Sequence, residues 1–165
     1  MLKNIILIAT FLAASIAFGE DKNEIPLLVS LERTTCEGGC PVYSLTVFAD
    51  GNAVFIGKRL TDVQGVKEFK IPQKSVDAIY AELKRVRFLE FNNEYSPKTL
   101  DCGIASTDHS TLILKATVEN TEKSVSAYLG CHNKKVSDLY ELSTFIDNAV
   151  GASTLINDNE KIKSE

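Results

Sequence analysis

Four cysteines and two histidines are the residues here whose types and spacing could do chemistry. Cys36 and Cys40 bracket Glu37-Gly38-Gly39, and Pro41 follows directly. Cys102 and Cys131 lie about 30 residues apart, with His109 between them and His132 beside the second. Paired sulfurs of this kind serve as disulfides, as thiol–disulfide exchangers or as metal ligands. Exchangers place Cys-x-x-Cys at a helix N-terminus, which lowers the thiol pKa. Cys36 and Cys40 are separated by three residues and lead into an alternating, strand-like run, so redox catalysis is disfavoured. Cys102, His109, Cys131 and His132 are acceptable zinc or copper ligands by type. Their spacing fits no standard motif, however, and neighbours such as Cys131 and His132 point opposite ways on a strand. The metal set stands as the alternative.

Compartment decides between these readings. Met1–Gly19 carries Lys3, then an apolar run from Ile5 to Phe18, then Ala17-Phe18-Gly19. That is the pattern of a cleaved secretory signal, and its apolar run of about 14 residues is too short to span a bilayer. Lys3 is the only charge in this segment, so the remaining 146 residues carry a net charge of −5. Mild acidity argues against a nucleic-acid partner, which needs a basic face. The expected location is periplasmic or secreted, with no membrane anchor after cleavage. All four cysteines survive cleavage, and an even count in an exported chain reads as two disulfides. Three connectivities are open. Cys36–Cys40 with Cys102–Cys131 is favoured, because the glycines allow a tight turn and the second pair flanks a hairpin whose ends lie together.

The elements that must position these residues follow from periodicity. Leu27–Leu31, Tyr43–Phe48, Ala53–Ile56, Val66–Ile71, Leu112–Val118 and Lys123–Leu129 alternate as strands. Asp50-Gly51 marks a hairpin turn, and a second turn is expected at Glu119-Asn120-Thr121. Val76, Ile79, Tyr80, Leu83 and Val86 form one face of a helix over Gln73–Arg87. Val136, Leu139, Tyr140, Leu142, Phe145, Ile146 and Ala149 do the same over Lys135–Val150, with Gly151 as its cap. Asn92–His109 is a long irregular loop, a class that is functional or pinned in compact domains.

No phosphate loop, nucleophile elbow or metalloprotease motif occurs. Asp101, Asp108 and His109 share the loop with Thr107 and Ser110, but residues this close in sequence rarely build a triad. Glu37 reads as a solvated charge. Tyr43, Tyr80, Tyr128 and Tyr140 read as core or boundary aromatics.

Cys36-Glu37-Gly38-Gly39-Cys40-Pro41-Val42-Tyr43 fits a Cys-x-Gly-x-Cys-Pro-x-Tyr signature. It follows a strand containing Leu31-Glu32-Arg33-Thr34, and Asp50-Gly51 and Phe55-x-Gly57 come after it. On these residues the chain resembles a family of exported bacterial proteins classed as a domain of unknown function, over roughly Leu27 to Gly151. The resemblance implies export and a single small α+β domain, and it brings no catalytic residue.

The expected organisation is a signal peptide at 1–19, a lead-in at 20–26, one α+β domain at 27–151 and a disordered tail at 152–165. The expected fold is an antiparallel sheet of about five to six strands with two helices packed on one face, a two-layer sandwich. The expected function is a non-enzymatic binding or envelope-associated module without a cofactor, with an envelope protein as the candidate partner. A zinc- or copper-binding protein, or an enzyme with an unrecognised site, is the alternative. The sheet's exposed face and the Asn92–His109 loop are the expected contact surfaces.

Overall fold

The computed structural model describes residues 25–156. The signal segment, most of the lead-in and positions 157–165 lie outside the described residues. The chain forms β1 (Leu27–Arg33), β2 (Val42–Phe48), β3 (Asn52–Arg59), β4 (Gly65–Lys70), α1 (Gln73–Arg85), β5 (Glu94–Tyr95), β6 (Thr111–Val118), β7 (Thr121–Tyr128) and α2 (Lys134–Val150). The strands make one sheet in the order β4-β3-β2-β1-β6-β7-β5. All pairs are antiparallel except β5 with β7.

The strand count is therefore seven, not five to six. The added strand is Glu94–Tyr95, inside the stretch expected to be irregular. Two residues carry no alternation to read, and the strand exists because Tyr95 is buried beside Ala127. The same stretch also holds a 3₁₀ turn at Leu100–Cys102 and a bridge between Ala105 and Cys131.

Register follows from the apolar alternation, since a one-residue slip would turn every buried side chain outward. Leu31 faces Leu45 on one side and Leu114 on the other, Leu45 faces Phe55, and Leu114 faces Val125. These residues join Val76, Ile79 and Leu83 of α1 and Leu139, Leu142 and Ile146 of α2 in one buried cluster. The helices touch each other, and they touch β6 and β7 respectively. On the sheet's other face, Ser30, Glu32, Ser44 and Thr46 are partly exposed.

The punctuation is local chemistry. Gly51 sits at φ +84° in the β2–β3 turn. Glu119 and Asn120 both adopt positive φ between β6 and β7, the twist a tight hairpin demands. The Asn133 side chain accepts from the Lys135 amide at 2.6 Å and caps α2, while Gly151 closes it in the left-handed conformation. Phe88 and Phe91 fold under the end of α1, both buried.

The expected tail boundary needs correction. Ala152–Thr154 forms a 3₁₀ turn after α2, Ala152 and Leu155 join the core, and the Leu155 carbonyl accepts from the Val63 amide at 3.2 Å. The spacing of Ala152, Leu155 and Ile156 extends the apolar pattern beyond the glycine cap.

Gly57 on β3 is enclosed. A Cβ there would overlap the Val63 carbonyl oxygen and lie 2.5 Å from Thr61 Oγ1. That hydroxyl already donates to the Val63 carbonyl, so the hairpin has no room to yield. Gly57→Ala is expected to destabilise by about 2–3 kcal/mol through overpacking, read as a lower urea midpoint with an unchanged slope. An unaltered midpoint would show that the β3–β4 loop is free to move.

Candidate functional site

The last residue of β1, Arg33, lies directly across from Tyr43 of β2. Above them, α2 presents Ser143 and Asp147 one turn apart. Arg33 Nε donates to Tyr43 Oη at 3.0 Å, and Nη2 donates to Ser143 Oγ at 2.7 Å. Tyr43 Oη donates to Asp147 Oδ2 at 2.6 Å. Arg33 Nη2 stands 3.9 Å from the same Oδ2. The guanidinium also lies over the Tyr140 ring, 5.2 Å from its centre. Tyr43 stacks on Phe55, which fixes its ring from below.

Burial governs the charges. Desolvation pushes the Asp147 carboxyl up to about 6, and the Tyr43 hydrogen bond and the Arg33 charge offset this only in part. Desolvation also works against the Arg33 charge, but the Tyr43 and Asp147 oxygens outweigh it, and its pKa lies above the ordinary value. Tyr43 is pushed upward by burial first and by Asp147 second, so it remains a proton donor. Tyr43 thus keeps its proton and the arginine its charge, while Asp147 gives up its proton only as the pH rises past about 6. Arg33 and Asp147 are joined mainly through Tyr43 rather than as a tight ion pair, which is why desolvation of the carboxyl prevails.

Asp147 Oδ1 is buried and has no hydrogen-bond partner among the described residues. Such an atom is costly in an apolar setting. It belongs to a side chain on the wall of a cleft of about 690 Å³. Tyr140, Thr144 and Asn148 of α2 form one wall, and Ser110, Leu129 and the Cys40-Pro41 corner form others. Arg33 and Tyr43 complete its lining.

The sequence-derived candidates are placed as follows. Cys36 and Cys40 form a disulfide with Cα atoms 5.5 Å apart, and Cys102 and Cys131 form another at 4.7 Å. Cys40, Cys131 and His109 reach the cleft. His132 shares a hydrogen bond with Ser106 Oγ at 2.7 Å outside it, and His109 stands edge-on to Tyr128. The alternative metal set Cys102, His109, Cys131, His132 is not assembled, because its two sulfurs are bonded to each other. No group of three or more His, Cys, Asp or Glu side chains converges as a metal site among the described residues. Asp101 accepts from Asn92 instead of facing a histidine.

Spacing does not single out Arg33, Ser143 and Asp147, and it marks Tyr43 as a core or boundary aromatic. A signal was present in α2. Val136, Tyr140, Ser143, Asp147 and Val150 recur at helical spacing, so a carboxylate sits within a stripe that ought to be apolar. Tyr140, expected as a core or boundary aromatic, is 45% exposed, whereas Asp147 is 7% exposed. The helix is rolled so that its polar stripe reaches the arginine.

Fold and site together define a small mixed α/β module with a seven-stranded sheet, two disulfides and a cleft of mixed polar and apolar lining floored by a buried Arg–Tyr–Asp cluster. The chain belongs to the DUF6438 family, a domain of unknown function, which it matches over residues 27–149. No curated protein matches it.

Proposed function

We propose that this protein is an exported, non-enzymatic binding module, associated with the bacterial envelope, whose ligand enters the cleft beside α2. The observation that carries this reading is Asp147 Oδ1, a buried acceptor without a protein partner on the wall of a cleft of small-ligand size. Two disulfides and the signal-like segment 1–19 support export. Among the described residues no helix is long and apolar enough to cross a membrane. In this reading both helices cover one face of the sheet, and Cys36-x-Gly38-x-Cys40-Pro41-x-Tyr43 is the family signature. Its two ends, the clamp and Tyr43, then frame the cleft floor. The cluster's polar groups are tied to one another, which suits recognition more than turnover.

Two measurements test this. Expression of the full chain in a Gram-negative host is expected to yield periplasmic protein beginning at Glu20, and retention of Met1 in the cytosol would overturn export. A fragment screen by amide NMR is expected to place its hits at Tyr140–Asn148. Hits confined to the outer sheet face would overturn the site.

A further inference from the structure

We infer that the cleft takes a neutral polyhydroxylated ligand, a sugar, an inference that rests on reading the cleft as a binding site. An unpartnered acceptor and an available donor lie there. Asp147 Oδ1 needs a donor. Arg33 commits Nε to Tyr43 and Nη2 to Ser143, and its Nη1, which makes no hydrogen bond to a described residue and is not sealed from solvent, is available to donate to a ligand. The two side chains are neighbours, with Arg33 Nη2 and Asp147 Oδ2, each already hydrogen-bonded elsewhere, 3.9 Å apart.

Charge then discriminates among ligands. An ammonium drawn to Asp147 meets the guanidinium. A carboxylate drawn to Arg33 meets Asp147 and Glu141, which also lines the cleft. A hydroxyl both donates and accepts, so adjacent hydroxyls on a ring match both groups and bring no charge. The rest of the lining agrees with this. Ser110, Ser137 and Thr144 supply hydroxyls, Asn148 supplies an amide, and the half-exposed Tyr140 ring offers an apolar surface for the C–H face of a sugar.

The test uses the full chain and amide NMR titrations with glucose, galactose and N-acetylglucosamine. Propylamine, propionate and acetamide serve as charged and amide probes. At least one sugar is expected to give saturable shifts at Tyr140–Asn148 and Tyr43, with a Kd of about 1 mM or tighter. Asp147→Asn is expected to weaken it about tenfold or more, and Glu141→Gln at the rim by no more than about twofold. Thermal unfolding checks that Asp147→Asn is folded. Tyr140→Ala, at a half-exposed position, provides an independent loss of about fivefold. The inference is overturned when no sugar saturates the cleft below about 100 mM. It is also overturned when propylamine, propionate or acetamide binds there and the sugars do not. In that second case the cleft remains a binding site and only the ligand class fails.

Discussion

Replacing Arg33 with methionine is expected to lower the unfolding free energy by about 3–5 kcal/mol at pH 8, because it leaves a buried carboxylate without its counter-charge. Methionine keeps the unbranched stem and much of the packing. What it removes is the cation beside Asp147, together with the donors to Tyr43 Oη and Ser143 Oγ. The same variant is expected to lose far less at pH 4.5, where Asp147 is protonated in the folded state.

The sign for the natural protein follows from the same group. The folded carboxyl titrates at about 6 against an ordinary 3.8, so the folded state binds this proton more tightly than the unfolded chain. Stability from this group is greatest below the ordinary value and falls as pH rises through the folded one, by about 3 kcal/mol in all. Glu82 acts in the opposite sense: its hydrogen bond from Arg85 holds its pKa down, so its contribution is lost as pH falls. Subtracting the pH profile of Asp147→Asn from that of the natural chain isolates the Asp147 share. Urea unfolding at both pH values is the measurement, and an Arg33→Met loss independent of pH would refute the account.

Removing the Cys102–Cys131 bridge, as the double alanine variant, is expected to cost about 3–4 kcal/mol from chain entropy and to lower Tm by about 10 °C. The bridge spans 29 residues, whereas Cys36–Cys40 spans four, and the double alanine variant of the short loop is expected to cost only about 2 kcal/mol. The long bridge also fastens the Leu100–Cys102 turn to Cys131, two residues before the α2 cap Asn133. Hydrogen bonds from His132 N to Ile104 O and from Ser106 N to Gly130 O are left to hold the loop without it. Thermal unfolding of the two variants ranks them, and equal losses would mean that the long loop is already closed in the unfolded chain.

Much of the sheet was legible because it obeys a period of two: Leu112, Leu114, Ala116 and Val118 alternate without a break, and their register follows. Both helices were legible from their apolar stripes. The cysteine pairing was favoured because a hairpin brings its own ends together. Strand β5 was not legible, since Glu94 and Tyr95 owe their conformation to β7 rather than to any pattern of their own. The site was the least legible part. Arg33 and Asp147 are separated by most of the chain, and each looks like an ordinary surface charge until the fold removes the water between them. Ser143 and Asp147 within an apolar stripe were the one local warning.

The sheet's central strand has a consequence for the order of events during folding. β1 pairs on one side with its immediate successor β2, and on the other with β6, where Val29 meets Ala116. Contacts so distant in sequence form slowly. Contact order favours pairing within the β1–β4 ribbon before β1 meets β6, and until then an unpaired apolar edge at β1 is expected. Arg33, at the end of that edge, has no partner on α2 until the last third of the chain arrives. The chain is therefore expected to complete its centre late, with the docking that seals the sheet also bringing the carboxylate to the arginine.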